Sequence, residues 1–365
     1  MFHKTRQKFT VLFAALAATC LLVVPGCGDD SSSDTTEALS TTTVALATTT
    51  TVTPTTTVAP EPVEKPLIVV TTNILGDVVG KAVGDLFDVE TIMPPGADPH
   101  VFQASAKQVD RMMKADLLVV NGANFEEGLL DVIKGAESDG VKVFEAIDSV
   151  DPLEDNDKEE GHDDHDEEGH DDHDEEGHDD HHGHDHGGVD PHFFTDPGRM
   201  AQVVKQLSDF LVLNFPEIDE KDLVSHMTDY SKKLEDLDSE VMQTLSSIPT
   251  GSRVMVTNHE VFAYFAESYE FEILGTIIPS SSTLSNTSAK DLVDLAEKMK
   301  AEGVPAVFVD ASSSDALAEA LAGEVDGVKV VSLFSESLGA EDTAGSTYID
   351  MVRTNSELIA SALTG

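Results

Sequence analysis

Histidines and acidic residues alternate in one stretch of the chain in a pattern that suits metal binding. From Glu159 to His186 the sequence is EEGHDDHDEEGHDDHDEEGHDDHHGHDH, in which an eight-residue unit occurs three times. Imidazoles three residues apart, with carboxylates between them, offer nitrogen and oxygen ligands to borderline divalent ions such as Zn²⁺. We predict that the tract gathers metal through nine histidines: His162, His165, His170, His173, His178, His181, His182, His184 and His186.

The composition of this tract predicts a mobile loop at 154–188. Nineteen acidic residues and one lysine lie between Asp151 and His186, with almost no apolar side chains to bury. Such a segment stays hydrated and offers many weak, exchangeable sites. The other interpretation is a solvated acidic linker whose histidines are incidental. In either case, a tight metal site has to be built elsewhere in the chain.

Four potential ligands outside the tract occupy positions where α/β proteins bind ligands. His100, His259 and Glu336 each follow a predicted strand, and ligands of open α/β sheets gather beyond the carboxyl ends of the strands. His192 lies in DPHFFTDP, whose prolines and aspartates favour a rigid turn. The spacing matches no local metal motif, and a single histidine is more often hydrogen-bonded than metal-bound. Together, however, His100, His192 and His259 are all but one of the histidines of the predicted folded part. We expect the exception, His226, on a helix surface.

The chain around these residues alternates short β-branched runs with amphipathic segments. The runs predict strands at 67–72, 87–93, 116–122, 141–146, 253–258, 271–278, 305–310 and 328–334. The amphipathic segments predict helices at 74–83, 104–114, 125–134, 198–214, 259–268, 288–301, 315–322 and 346–363. Alternating strands and helices indicate parallel sheets that are covered by helices.

One further segment, 218–247, contains neither glycine nor proline and has apolar residues at steps of three and four. This periodicity predicts one long helix, and Pro216 and Pro249 bound it. We therefore predict an α/β fold with two lobes of mainly parallel sheets, joined by one long rigid helix.

The N-terminus has the features of a lipoprotein signal peptide at 1–27. Lys4, Arg6 and Lys8 precede an apolar run that ends in Pro25-Gly26-Cys27, the order of a secretory signal. A cysteine directly after a small residue resembles a bacterial lipobox, so we expect lipidation of Cys27 and anchoring to the cell membrane. The alternative is ordinary secretory cleavage near Gly26.

The composition divides the remaining chain into four parts. Residues 28–66 are rich in threonine and serine, which predicts a disordered tether. We expect an N-terminal α/β lobe at 67–217, which carries the loop at 154–188, a linking helix at 218–247 and a C-terminal α/β lobe at 248–365.

Charge and cysteine content exclude several classes of function. The net charge is −47, and no basic cluster could neutralise phosphates, so we expect no binding to nucleic acid. The only cysteines are Cys20 and Cys27. The folded part therefore has neither a disulfide nor a thiolate site, and a metal pocket must consist of His, Asp and Glu.

Four segments resemble the solute-binding lipoproteins of zinc and manganese ABC importers. They are GADPHVFQASAKQVDRMMKADLLVVNGANFEEGLL, DPHFFTDP, NHEVFAYFAESYEF and LFSESLG with STYIDMVRTN. The resemblance covers nearly all of the chain from Leu67 onwards, in order. It implies one metal ion in the cleft between two α/β lobes, with two ligands from each lobe.

The resemblance also implies which residues bind the ion. His100 matches the histidine of the GADPH motif, His192 that of the DPH motif, and His259 the first ligand of the second lobe, where manganese-type members tend to carry glutamate. Glu336 stands where the family usually has aspartate, so Asp310 is the reserve candidate. Phe194 replaces a common tryptophan, a change that we expect to affect packing more than binding.

Three imidazoles and one carboxylate suit Zn²⁺ better than Mg²⁺ or Ca²⁺, with Mn²⁺ as the second candidate. We expect a monomeric zinc-binding component that works with an ABC permease and its ATPase, while the tract raises the local metal concentration. The competing hypotheses are a surface zinc buffer or adhesin without an importer, and a zinc hydrolase. The chain has no HExxH motif, and we expect no enzymatic activity.

Overall fold

Four short parallel strands form the first of two sheets. In the computed structural model, which describes residues 65–154 and 188–365, these strands are β1 (Leu67–Val70), β2 (Asp88–Thr91), β3 (Leu117–Val120) and β4 (Lys142–Glu145). Their order across the sheet is β2-β1-β3-β4. The central strands β1 and β3 are almost entirely apolar and buried, as expected for a parallel sheet that is covered on both faces.

The second sheet repeats this topology. Its strands are β5 (Val254–Thr257), β6 (Glu272–Thr276), β7 (Ala306–Asp310) and β8 (Lys329–Leu333), in the order β6-β5-β7-β8. All pairs are parallel. The strands in both sheets are shorter than the apolar runs that predict them, because the last residues of several runs turn out of the sheet and begin the loops that carry polar side chains.

Nine α-helices connect and cover the strands of the described residues. They are α1 (Asn73–Val83), α2 (Ala106–Met112), α3 (Leu130–Ser138), α4 (Pro197–Asn214), α5 (Glu220–Leu245), α6 (Ala263–Tyr269), α7 (Ala289–Glu302), α8 (Ala316–Glu324) and α9 (Tyr348–Thr364). We call the first sheet with α1–α4 the first lobe, and the second sheet with α6–α9 the second lobe.

The long helix α5 packs against α1 and α4 of the first lobe and against α9 of the second. With 26 residues it is about 39 Å long. Asp219 caps its start by accepting a hydrogen bond from the backbone of Asp222. Arg353 of α9 forms an ion pair with Glu240 of α5. The predicted fold class, two parallel-sheet α/β lobes with one long helix between them, is confirmed.

Apolar side chains of both lobes belong to one buried core. This core contains residues of β1, α1, α4, α5, α6 and α9, and two smaller clusters fill the outer faces of the sheets under α2 and α3 and under α7 and α8. None of the described helices has the length and apolar character needed to cross a membrane.

Two predicted helices begin four or five residues later than the sequence indicates, at Ala263 and Leu130. The segment predicted as a helix from 125 has a short 3₁₀ turn at Glu127–Leu129 before α3 begins. Glu126 has a ψ of 64°, which an α-helix does not allow, and its carboxylate accepts hydrogen bonds from Thr71 and Asn121. The helix predicted from 259 begins at Ala263. Both non-helical segments lie beside the candidate site described below.

Candidate metal centre

The two first-lobe histidines lie in turns of the same construction. His100 follows Asp98-Pro99, and His192 follows Asp190-Pro191. In each turn the aspartate accepts a hydrogen bond of 2.9 Å from the backbone N–H of the histidine two residues on, an Asx turn in which the proline between them restricts φ. The repeated sequence Asp-Pro-His therefore produces the same local geometry twice.

The two second-lobe candidates follow β5 and β8. The hydroxyl of Thr257 donates a 2.7 Å hydrogen bond to the carbonyl of His259, which holds this residue out of α6. The backbone N–H of Glu336 donates to Asp310 Oδ2 at 2.9 Å, and that of Ser335 donates to the same oxygen at 3.1 Å. Asp310, the reserve candidate, lies outside the group of ligand atoms and instead fixes the backbone that carries Glu336.

The structure brings all four predicted ligands together. One ligand atom from each of His100, His192, His259 and Glu336 lies within 4.8 Å of the others, and all four residues are buried. The Nε2 atoms of the three histidines lie 3.5, 3.4 and 2.9 Å from the Glu336 carboxylate. Ligands of a tetrahedral Zn²⁺ lie about 3.3 Å apart, given metal–ligand distances near 2.0–2.1 Å. The three distances to the Glu336 carboxylate are therefore close to those around one such ion.

Several buried atoms of the cluster have no hydrogen-bond partner among the described residues. They include Nε2 of His100, Nε2 of His192 and Oε2 of Glu336. A buried polar atom without a partner costs about 1–3 kcal/mol. Because these atoms converge on one point and combine imidazole with carboxylate, a divalent cation of the Zn²⁺ or Mn²⁺ type would satisfy them.

Two carboxylates hold the far nitrogens of the first-lobe imidazoles. Asp190 Oδ1 lies 2.7 Å from His192 Nδ1, and Glu127 Oε1 lies 3.1 Å from His100 Nδ1. A proton on Nδ1 leaves Nε2 free to bind metal, which is the usual arrangement of metal-binding histidines. The sequence prediction missed both supporting roles. The repeated Asp-Pro-His motif could have indicated Asp190, whereas no local pattern indicates Glu127.

Aromatic rings form the inner wall of the cluster. The Phe125 ring lies edge-on to His100 and His192, with centroids 5.1 and 5.5 Å away. Phe194 contacts both Phe125 and the His192 ring. Gly128 allows the turn of His100 to approach the turn of Glu127, because a Cβ at this position would overlap the carbonyl oxygen of Phe102.

The predicted accessory residues lie outside the described part of the chain. This applies to the nine histidines of the tract and to Cys27. The residues at the two ends of the tract meet, since Glu154 and Val189 form an antiparallel bridge. Tyr264 Oη accepts a hydrogen bond from the backbone of Leu153 and donates one to the carbonyl of Asp190. The tract therefore leaves the fold at Glu154 and rejoins it at Val189, three residues before His192.

Charge and burial act in opposite directions on the pKa values of the cluster. Burial alone would lower the pKa of His100, but its hydrogen bond to Glu127 and the nearby carboxylate of Glu336 outweigh burial and raise the pKa from 6.5 to about 10. Burial alone would raise the pKa of Glu336, but the imidazoles of His192, His100 and His259 around its carboxylate hold the pKa well below its ordinary range. Without metal, a proton on His100 thus neutralises Glu336.

We expect the metal-free protein to lose stability as the pH rises from about 7 to about 10. The pKa of His100 is raised in the folded state, so its contribution is complete below its unfolded pKa of about 6.5 and disappears as the pH rises through its folded pKa. Thermal unfolding in the presence of a chelator measures this loss. A His100→Gln variant should show a shallower decline, and equal declines for the two proteins would contradict the expectation.

Comparisons with known proteins cover both lobes. The model of a family described as zinc-uptake complex component A, periplasmic, matches residues 68–362. Zinc-binding protein TroA of Treponema pallidum (strain Nichols) is 28% identical over 305 residues, which are 82% of this chain and 89% of that protein. The manganese ABC transporter substrate-binding lipoprotein PsaA of Streptococcus anginosus is 25% identical over 311 residues, 82% of this chain and 90% of that protein.

A solved structure agrees with these sequence matches. The periplasmic zinc-binding protein TroA from Treponema pallidum superposes with a TM-score of 0.68 at 27% identity, and the match covers 82% of this chain and 99% of that one. The region matched by the family model begins in β1 and ends in α9. It therefore contains all four residues of the cluster.

Proposed function

Since the chain belongs to the family of periplasmic zinc-uptake component A proteins, we propose that it captures one Zn²⁺ between its two lobes and delivers the ion to the permease of an ABC importer. The observation that carries this proposal is the convergence of His100, His192, His259 and Glu336 on one buried point. Two of these residues come from each lobe, so a bound ion would join the lobes.

The ligand set favours zinc over manganese. Imidazole suits Zn²⁺, whereas Mn²⁺ prefers a larger share of carboxylate and water oxygens, and nitrogen and oxygen sites in general bind Zn²⁺ more tightly than Mn²⁺. Of the two relatives described above, one is named for zinc and the other for manganese. The three imidazoles of this chain support zinc as its cargo.

In this function the protein would be attached to the cell membrane and would work with the partner proteins of an importer. A lipid on Cys27 would hold the protein on the outer face of the cell membrane, and residues 28–66 would tether the lobes. The permease and its ATPase would receive the ion from a monomeric binding protein. The histidine tract would gather Zn²⁺ loosely and supply it to the buried cluster, whose His192 lies six residues beyond His186, the last histidine of the tract.

The site geometry favours binding over catalysis. A hydrolytic zinc site keeps one coordination position open for a water molecule. Here three imidazoles and the Glu336 carboxylate supply all four ligands of a tetrahedral ion, and none of the four residues is exposed. We therefore propose a binding protein with no catalytic step.

Removal of the tract tests this proposal. Residues 155–187 can be replaced by a short turn, because Glu154 and Val189 form an antiparallel bridge and paired residues of this kind have Cα atoms about 5 Å apart. We expect the shortened protein, offered equal Zn²⁺ and Mn²⁺ and then dialysed, to retain one zinc ion per chain by elemental analysis. Loss of all tightly held metal would instead indicate a buffer that works through the tract, and retention of manganese would overturn the choice of cargo.

A further inference from the structure

Two neighbouring hydroxyl groups of the second lobe reach across to the first. Ser282 and Thr283 lie in the loop between β6 and α7. Ser282 Oγ donates a hydrogen bond of 2.5 Å to Glu127 Oε1, and Thr283 Oγ1 donates one of 2.8 Å to Asp98 Oδ2. Both acceptors are carboxylates of first-lobe loops.

The same two carboxylates also hold His100. Asp98 Oδ1 accepts a hydrogen bond of 2.9 Å from the backbone N–H of His100, and Glu127 Oε1 lies 3.1 Å from its ring Nδ1. Asp98 therefore contacts His100 through Oδ1 and the opposite lobe through Oδ2, whereas Glu127 contacts both through Oε1. Both the backbone and the ring of this residue depend on contacts that cross between the lobes.

The side chain of His192 and the backbone of Glu336 are held by carboxylates of their own lobes, although the carbonyl of Asp190 also accepts a hydrogen bond from Tyr264 of the second lobe. Asp190, in the same turn, holds the ring of His192. Asp310, at the end of β7, accepts hydrogen bonds from the backbone of Glu336 and of its neighbour Ser335. If the lobes separated at Ser282 and Thr283, these supports would stay in place while those of His100 would be weakened.

The contacts to Ser282 lie at the accessible side of the cluster. A cavity of about 490 Å³ is lined by His100, Phe125, Glu127 and Ser282, and His100 is the one cluster residue in its lining. The Glu127 side chain is 33% exposed. By contrast, a second set of interlobe hydrogen bonds is buried: Asn73 Nδ2 donates to Ser337 Oγ, and the backbone N–H of Leu338 donates to Asn73 Oδ1. Water therefore reaches the Ser282 contact more readily than the Asn73 contacts.

We propose that Asp98 and Glu127 are positioning residues, which make the placement of His100 depend on Ser282 and Thr283. Separation of the lobes at these two contacts frees His100 first and sets the rate of metal release. This inference rests on the proposed function. Without the bond to Ser282, the Glu127 carboxylate can turn towards water, and the His100 ring then loses the partner that keeps Nε2 directed at the ion.

The rate of zinc release from the full chain tests the inference. The protein is loaded with Zn²⁺, freed of loosely held ions by desalting and mixed with an excess of a chelator, and the slow phase of release is followed. We expect Ser282→Ala and Thr283→Val each to accelerate this phase about 3- to 10-fold, and the double variant about 10- to 100-fold, because each change removes one partly exposed hydrogen bond between the lobes. Ser239→Ala, an exposed position on α5, is the matched control and should not alter the rate.

Conservative variants distinguish positioning from general destabilisation. Thr283→Ser keeps the hydroxyl and should release zinc at the wild-type rate. Glu127→Gln keeps the acceptor oxygen for His100 Nδ1, whereas Glu127→Ala removes it. With one equivalent of Co²⁺, whose visible absorption reports its ligands, only Glu127→Ala should show a changed spectrum, together with an affinity about 10- to 100-fold lower.

An unchanged release rate in the Ser282→Ala, Thr283→Val protein would overturn the inference and leave the proposed function intact, provided that wild type holds one tight zinc ion. An unchanged Co²⁺ spectrum in Glu127→Ala would overturn it as well. If wild type itself held no tight ion, both the inference and the proposed function would fall.

Discussion

Replacement of His192 by alanine is expected to lower the affinity for Zn²⁺ by about a hundredfold to a thousandfold. Structural zinc sites with four ligands bind with about 10–16 kcal/mol, or roughly 3–4 kcal/mol for each ligand, and 1.4 kcal/mol is tenfold in affinity. A water molecule in the space left by the ring would replace part of this loss. His192 is fully buried and its Nε2 has no partner other than the cluster among the described residues. Competition with a chelator of known affinity measures the change.

His226→Ala is the matched control for this experiment, because His226 is exposed on α5 and lies outside the cluster. The affinity of the His226→Ala protein for Zn²⁺ should equal that of the wild-type protein. A protein with alanine at His100, His192 and His259 should lose its tight ion altogether. If this triple variant kept most of its metal after dialysis, the tract would be the main binding site and the protein would act as a surface buffer.

Zinc is expected to raise the midpoint of thermal unfolding by about 10 °C relative to the metal-free protein. A ligand present at a thousand times its dissociation constant stabilises the folded state by about 4 kcal/mol, and each kcal/mol shifts the midpoint of a domain of this size class by about 2–4 °C. In the metal-free protein a proton on His100 balances the negative charge of Glu336, and the bound ion takes over this role. Calorimetry in zinc and in chelator measures the shift.

The histidine tract supplies an internal control for the thermal experiment. Its nine histidines are present in both the folded and the unfolded chain, so metal bound to them stabilises both states alike. We therefore expect the protein that lacks residues 155–187 to show the same shift as the full chain. The His192→Ala variant should show a much smaller shift than either, and a shift equal to that of wild type would contradict the assignment of the site.

The amino-acid sequence determined most of the secondary structure and the composition of the candidate site. The segment 218–247 forms α5 at Glu220–Leu245. The apolar residues on one face of a helix recur at steps of three and four, so this pattern is visible in the local sequence. The eight predicted strands are all present in the described residues, each somewhat shorter than its apolar run. The four predicted ligands also meet in one cluster. Strand ends and the family resemblance suffice to select them, since parallel strands of one sheet bring their carboxyl ends to the same edge.

Only the tertiary structure decided how those ligands are supported. Asp310 holds the backbone of Glu336 instead of joining the cluster. Glu127 supports His100 and contacts Ser282, which lies 155 positions further along the chain. Local patterns of hydrophobicity and turn residues do not contain such pairings, because they arise when the loops of two lobes pack against each other. For the same reason the segments near 125 and 259 keep loop geometry despite their helical patterns: hydrogen bonds formed on folding outweigh a helix propensity of a few tenths of a kcal/mol per residue.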